Sequence, residues 1–222
     1  MELRDLISKY PKIYHMAEDG SWENIKRFGL LSTTALLDKW GIQGEERSVI
    51  EDKYRSSSIT INSIEFGSAT IRDQMAMPPA KLRRCLPDTI TVSQWYEYLN
   101  KRVFLWSDWR GLKFMLSANN YIKKAHLVIV VDSEKLLTNY RDRVFLSAIN
   151  SGSTYCKKGK TTPEYRDFNT FKDIKSYPGH WLTELTIDYG IPDITNYVLR
   201  AERLRMNAKD KEPEELGRYC CD

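Results

Sequence analysis

Cysteine and histidine are scarce. Four cysteines in 222 residues are too few for a disulfide framework. Together with the three histidines (His15, His126 and His180) they show no metal-ligand spacing, so no zinc or other metal site is expected. Glycine-rich phosphate loops are missing: neither GxxxxGK nor GxGxxG occurs, and there is no GxSxG elbow. The common nucleotide-hydrolase and dehydrogenase readings therefore fall away. No apolar run approaches the ~20 residues of a membrane helix. The longest, Leu127–Val131, reads as a buried strand. The first residues, Met1–Leu6, alternate acidic and basic groups without the apolar core of a signal peptide. A cytoplasmic protein with no membrane partner is the expectation.

What is present is a globular composition. Hydrophobic residues make up 41% and charged residues 29%, enough apolar content for a packed core. The net charge is only +4, which does not by itself point to nucleic acid. Basic residues do cluster at Lys81, Arg83 and Arg84 and again at Lys157, Lys158 and Lys160, where they read as a solvated surface or as a polyanion contact. Six tryptophans and 13 tyrosines suit either an ordinary core or a stacking cleft.

The pattern along the chain predicts short helices and short strands in mixed order. Residues 1–12 read as a helix ended by Pro11, and Ile13–Met16 as a strand. Ser21 is placed to cap a helix over Trp22–Phe28, which stops at Gly29. Helices follow at Thr33–Trp40 and Glu45–Tyr54, then a polar loop or edge from Ser56 to Asn62. Further helices are expected at Lys81–Leu86, Val92–Asn100, Trp109–Asn119 (capped by Ser107 or Asp108) and Ser133–Asn139. Strands are expected at Arg102–Trp106, Ala125–Asp132, Arg143–Ala148 and Trp181–Tyr189, with Ile194–Arg203 as the last ordered element. Without strict alternation of strand and helix, the class is α+β rather than a doubly wound sheet. One domain spans residues 1–206, and residues 207–222 form a charged, flexible tail.

Three segments carry chemistry. The first is Tyr14-His15-Met16, followed by Trp22-Glu-Asn-Ile25-Lys-Arg-Phe-Gly29-Leu30-Leu31-Ser32. It resembles the opening of ADP-ribosyltransferases, where a strand ends in His and a helix of the form x-I-x-x-x-G-L follows. The second, Arg102-Val-Phe104-Leu-Trp106-Ser107, resembles the middle strand of that superfamily. The third, Glu184-Leu-Thr-Ile-Asp-Tyr-Gly190-Ile191-Pro192-Asp193-Ile194, resembles the third strand motif of the DarT-type DNA ADP-ribosyltransferases. The closer likeness is to uncharacterised bacterial DarT-like proteins. It extends over about residues 10–200 through Arg72-Asp73-Gln74, Trp95…Leu99-Asn100-x-Arg102, Ile149-Asn150-Ser151-Gly152-Ser153, Arg166 and Thr170-Phe171.

The resemblance implies an ADP-ribosyltransferase-like fold, with a split, mixed or antiparallel β-sheet core flanked by helices, and NAD as substrate. It implies that His15, with Tyr14 beside it, binds an NAD ribose. Either Phe104 or Trp106 packs on nicotinamide, and Glu184 stabilises the cation that forms when the nicotinamide–ribose bond breaks. Asn150 and Ser151 offer amides and hydroxyls to a ribose or phosphate, although their loop also reads as a strand-ending turn. Arg166, and Arg72 supported by Asp73 and Gln74, suit phosphate binding. The polar stretch 155–170 precedes the Glu184 strand, where the superfamily carries its acceptor-recognition loop, and its lysines suit a nucleic acid. Leu182 stands two residues before Glu184, where transferases acting on protein side chains carry Glu or Gln. The expected activity is thus mono-ADP-ribosylation of a nucleobase in DNA or RNA by a toxin or defence effector, with an antitoxin as a further partner. The alternatives are a silent NAD or ADP-ribose binding module of the same fold, and a nucleic-acid-binding protein that stacks a base without chemistry.

Overall fold

The computed structural model describes residues 1–155 and 164–220. Eight α-helices are present among them: α1 (Leu3–Lys9), α2 (Trp22–Phe28), α3 (Thr33–Trp40), α4 (Gly44–Glu51), α5 (Pro79–Arg83), α6 (Val92–Asn100), α7 (Trp109–Leu116) and α8 (Ser133–Tyr140). The strands are β1 (Lys12–Glu18), β2 (Leu30–Leu31), β3 (Ile59–Ser63), β4 (Gly67–Ile71), β5 (Arg102–Trp106), β6 (Ala125–Asp132), β7 (Val144–Ser147), β8 (Lys172–Asp173), β9 (Glu184–Asp188), β10 (Gly190–Ile191), β11 (Val198–Met206) and β12 (Pro213–Tyr219). The architecture is α+β, as expected. Eight strands form one sheet in the order β12-β11-β6-β1-β5-β9-β7-β8, and every pairing in it is antiparallel. No helix among the described residues is long and apolar enough to cross a membrane.

The local chemistry explains the elements. Ser32 caps α3 by accepting from the Ala35 amide, and Gly41 ends it in the left-handed conformation at φ 72°. Thr91 and Gln94 form a reciprocal capping box at the start of α6. Asp108, rather than Ser107, caps α7. The run Leu127–Val131 is fully buried in β6, near the middle of the sheet. Strand β5 alternates as the period of two requires: Val103 and Leu105 enter the main core, while Arg102, Phe104 and Trp106 are only half-buried on the other face.

Several expectations change. Ser21 does not cap α2; its own dihedrals are helical, and its amide closes a turn onto Glu18 O. Of the two readings of the polar segment near residue 60, loop or edge strand, the structure shows a strand. It pairs with residues 67–71 as the β3–β4 hairpin, which rests on Leu37, Trp40 and Ile50. The tail expected to fray contains β12, paired with β11 along residues 213–219. Trp22 is buried and donates its indole N–H to Cys220 O at 3.0 Å, which ties this strand to α2. A polar edge strand escapes the sequence because no apolar alternation marks it.

Two short elements locate the site. Strands β2 and β10 form a separate small sheet, Leu31 opposite Gly190 and Leu30 opposite Ile191. Gly29, just before β2, sits at φ 88° and ψ 171°. A Cβ there would lie 2.4 Å from Pro192 Cα. The glycine of the first sequence motif and the proline of the third are thus in direct contact.

Candidate functional site

The site forms where the large sheet opens. Strand β1 pairs with β6 along all of Lys12–Glu18, but it meets β5 at one position only, Tyr14 opposite Trp106. Beyond that pair β1 and β5 diverge. At the divergence a side chain replaces the backbone ladder: His15 Nδ1 lies 2.8 Å from Phe104 O. A carbonyl only accepts, so Nδ1 carries the proton and Nε2 presents a lone pair. Burial lowers the His15 pKa to about 4; the bond to Phe104 opposes the shift and the Arg72 charge reinforces it. His15 is therefore neutral at neutral pH.

Glu184 begins β9, opposite Trp106 on one side and Ser147 on the other. It is only 4% exposed. Its Oε1 accepts from the Ser151 amide at 3.0 Å. Burial raises its pKa to about 7, against the downward pull of the Ser151 hydrogen bonding and the Arg166 charge. A carboxyl poised there exchanges a proton at neutral pH.

Between these groups lies a cavity of about 560 Å³, within the ~300–1,000 Å³ usual for small-molecule sites. His15, Arg72, Phe104, Trp106, Asn150 and Glu184 all line it. Helix α2, the β2 segment and strand β4 also line it. The sequence left Phe104 and Trp106 as alternatives, and both line the cavity. Trp106 is backed by α7, since a Cβ on Gly111 would lie 2.7 Å from its Cε3. Phe104 packs edge-on against Phe171, with centroids 6.2 Å apart.

Three expected contacts lie elsewhere. Tyr14 leaves β1 on the face opposite His15, packs edge-on against Trp109 at 5.9 Å, and lines a smaller groove with Arg200 and Glu202. Ser151 is buried and outside the cavity wall; its amide serves Glu184 rather than a phosphate. Arg166 is 2% exposed and is not a cavity residue. Its guanidinium donates to Ser151 O at 2.7 Å and to Glu164 O, and its amide donates to Cys85 O. It thus shapes the loop that grips Glu184 and is not placed to clamp a ligand phosphate. Lys157, Lys158 and Lys160 lie outside the described residues.

Arg72 does face the cavity, but Asp73 and Gln74 do not hold it. Asp73 accepts from the Tyr121 hydroxyl at 2.9 Å, and Gln74 Oε1 accepts from the Arg55 amide. Arg72 instead lies over the Tyr121 ring, 4.8 Å from its centroid. Arg55 and Tyr121 are the residues that sequence reasoning missed. Arg55 is a buried strut, donating to Ile50 O, Arg72 O and Asn100 Oδ1. Arg55 lies in the irregular stretch after α4 and Tyr121 in a turn, where no periodicity marks a residue as important.

Among the groups that line it, the cavity thus offers the His15 lone pair, the Arg72 cation, the Phe104 and Trp106 rings and the Glu184 carboxyl, which titrates near neutrality. This set fits a nucleotide with a ribose, phosphates and a planar base. No curated protein and no solved structure matches the chain. A protein-family model matches residues 11–198. That span contains His15, Arg72, Phe104, Trp106 and Glu184, and the chain belongs to this family, the family of unknown function DUF7002.

Proposed function

We propose that this chain is a NAD-dependent mono-ADP-ribosyltransferase with the split-sheet fold of that superfamily, acting on a nucleobase in DNA or RNA as a toxin or defence effector. The observation that carries the reading is the opening between β1 and β5. There His15 from one strand, the aromatic face of β5 and Glu184 from β9 converge on one cavity.

The residues divide the work. The His15 Nε2 lone pair accepts from a ribose hydroxyl of NAD. Phe104 and Trp106 present ring faces to nicotinamide. When the nicotinamide–ribose bond breaks, its electron pair leaves with nicotinamide and positive charge develops on the ribose. Ionised Glu184 stabilises that charge from a dry wall, where an anion acts more strongly than in water. The acceptor's lone pair then forms the new bond to the ribose, and the acceptor's proton passes to Glu184. With a pKa near 7, the group is matched to taking that proton at neutral pH. Leu182 is buried in the core two residues before Glu184 and has no polar group to orient a protein side chain. This favours a base over a protein acceptor.

The test is transfer of label from NAD carrying a radioactive adenylate. Wild-type protein is incubated with single-stranded DNA, single-stranded RNA and a protein mixture. Label should enter a nucleic acid, and Glu184→Ala should abolish the transfer. Label confined to protein would overturn the acceptor assignment. Ligand-induced stabilisation by NAD without any transfer would turn the reading to a silent binding module.

A further inference from the structure

Arg72 is a cation in the cavity wall with an unusual set of neighbours. Among the described residues it has no carboxylate partner, although Asp73 is next in the chain. Its hydrogen bond to Met16 O is long, 3.4 Å. What holds it is the face of Tyr121, 4.8 Å from ring centroid to guanidinium carbon.

Tyr121 is itself fixed at three points. Its hydroxyl donates to Asp73 Oδ1 at 2.9 Å. Its carbonyl lies 3.0 Å from His126 Nε2, which must donate to it. Its ring meets the His126 ring edge-on at 5.8 Å. An acid paired with Arg72 would compete with any anionic ligand. An aromatic face holds the cation and leaves its N–H edges free.

We propose that Tyr121 is a positioning residue, which holds the Arg72 guanidinium on its ring so that Arg72 stays open to the phosphates of the ligand. This deepens the nucleotide reading of the cavity given above and rests on it. Arg55, which fixes the Arg72 backbone through its carbonyl at 3.1 Å, shares the task from below.

The experiment measures binding of inorganic pyrophosphate and of ADP-ribose to the full chain by calorimetry, together with KM and kcat for nicotinamide release. Three replacements at Tyr121 are compared: Phe, pentafluorophenylalanine and Leu. Phe keeps the ring's negative face, and affinity should stay within about threefold of wild type. Pentafluorophenylalanine keeps the shape but reverses the ring's quadrupole, and should weaken pyrophosphate and ADP-ribose binding roughly tenfold. Leu should raise KM by a similar factor with kcat little changed, and should add nothing in an Arg72→Gln background.

Equal affinity for the Phe and pentafluorophenylalanine variants overturns the proposal. So does a loss in Tyr121→Leu that adds fully to that of Arg72→Gln. Should the Leu variant fail to fold, the two isosteric rings still decide. Arg72- and Tyr121-dependent pyrophosphate binding without nicotinamide release would uphold the positioning role and sink the transferase reading. No pyrophosphate or ADP-ribose binding by wild type would sink both.

Discussion

Replacing Glu184 by Gln should stabilise the protein above neutral pH. Burial raises the carboxyl from an ordinary value of 4.5 to about 7. The native state thus holds a proton that the unfolded chain has released, and stability falls as pH rises from about 4.5 to 7. At 1.36 kcal/mol per unit, the full penalty is about 3 kcal/mol above pH 7. Gln keeps the shape and still accepts the Ser151 amide, so it removes the charge without opening a cavity. The variant should gain about 3 kcal/mol at pH 8 and little at pH 4.5, or roughly 6–12 °C in melting temperature at the higher pH. His15 acts in the opposite sense. Its native pKa near 4 lies below the ordinary 6.5, so its contribution is complete above pH 6.5 and is lost as pH falls toward 4. In wild type the two slopes oppose each other between about pH 4.5 and 6.5. In Glu184→Gln that opposing slope is gone; His15, with His126, which burial also lowers, makes stability climb with pH across that window. The assay is urea denaturation followed by tryptophan fluorescence at pH 4.5, 6 and 8. A gain that is equal at all three pH values, or absent at pH 8, would refute the assigned ionisation.

Two further predictions concern the frame of the site. Gly29→Ala should cost about 3 kcal/mol or more, because φ 88° with ψ 171° is accessible essentially to glycine alone and the added Cβ meets Pro192 backbone; the urea midpoint checks it. Truncation after Met206 removes β12, strips Trp22 of its carbonyl partner and bares the β11 edge. The buried indole N–H alone should cost about 1–3 kcal/mol, and light scattering should show concentration-dependent association that the full chain lacks.

Much of the frame is legible in the sequence because local chemistry dictates it. Helices α2, α3 and α6 and strands β5 and β6 run over the expected residues. Each has a period or a stop signal at the right place, such as Gly41 after α3 or the unbroken apolar run of β6. The edges are not legible. Strand β12 is polar and charged and β3 is short, and each is defined by pairing with its hairpin neighbour, β11 and β4. The same split runs through the site. His15, Phe104, Trp106 and Glu184 sit on regular strands, so order along the chain predicts their meeting. Arg166 has the type and setting of an anion clamp, yet folding buries it and spends its donors on Ser151 and Glu164 carbonyls. Burial of a loop arginine depends on tertiary packing, which residue type does not reveal. Tyr14 fails for a simpler reason: the strand alternation that turns His15 to one face turns its neighbour to the other.

The central claim is that the opening between β1 and β5 cleaves NAD through Glu184. The most direct measurement is nicotinamide release from NAD by the wild-type chain and by Glu184→Gln, across pH 5 to 9. Release by wild type that rises tenfold per pH unit below about 7 and levels above it, with at least a hundredfold loss in the Gln variant, is the predicted result. Release at the same rate in both proteins, or none from the wild type at any pH, would contradict the account.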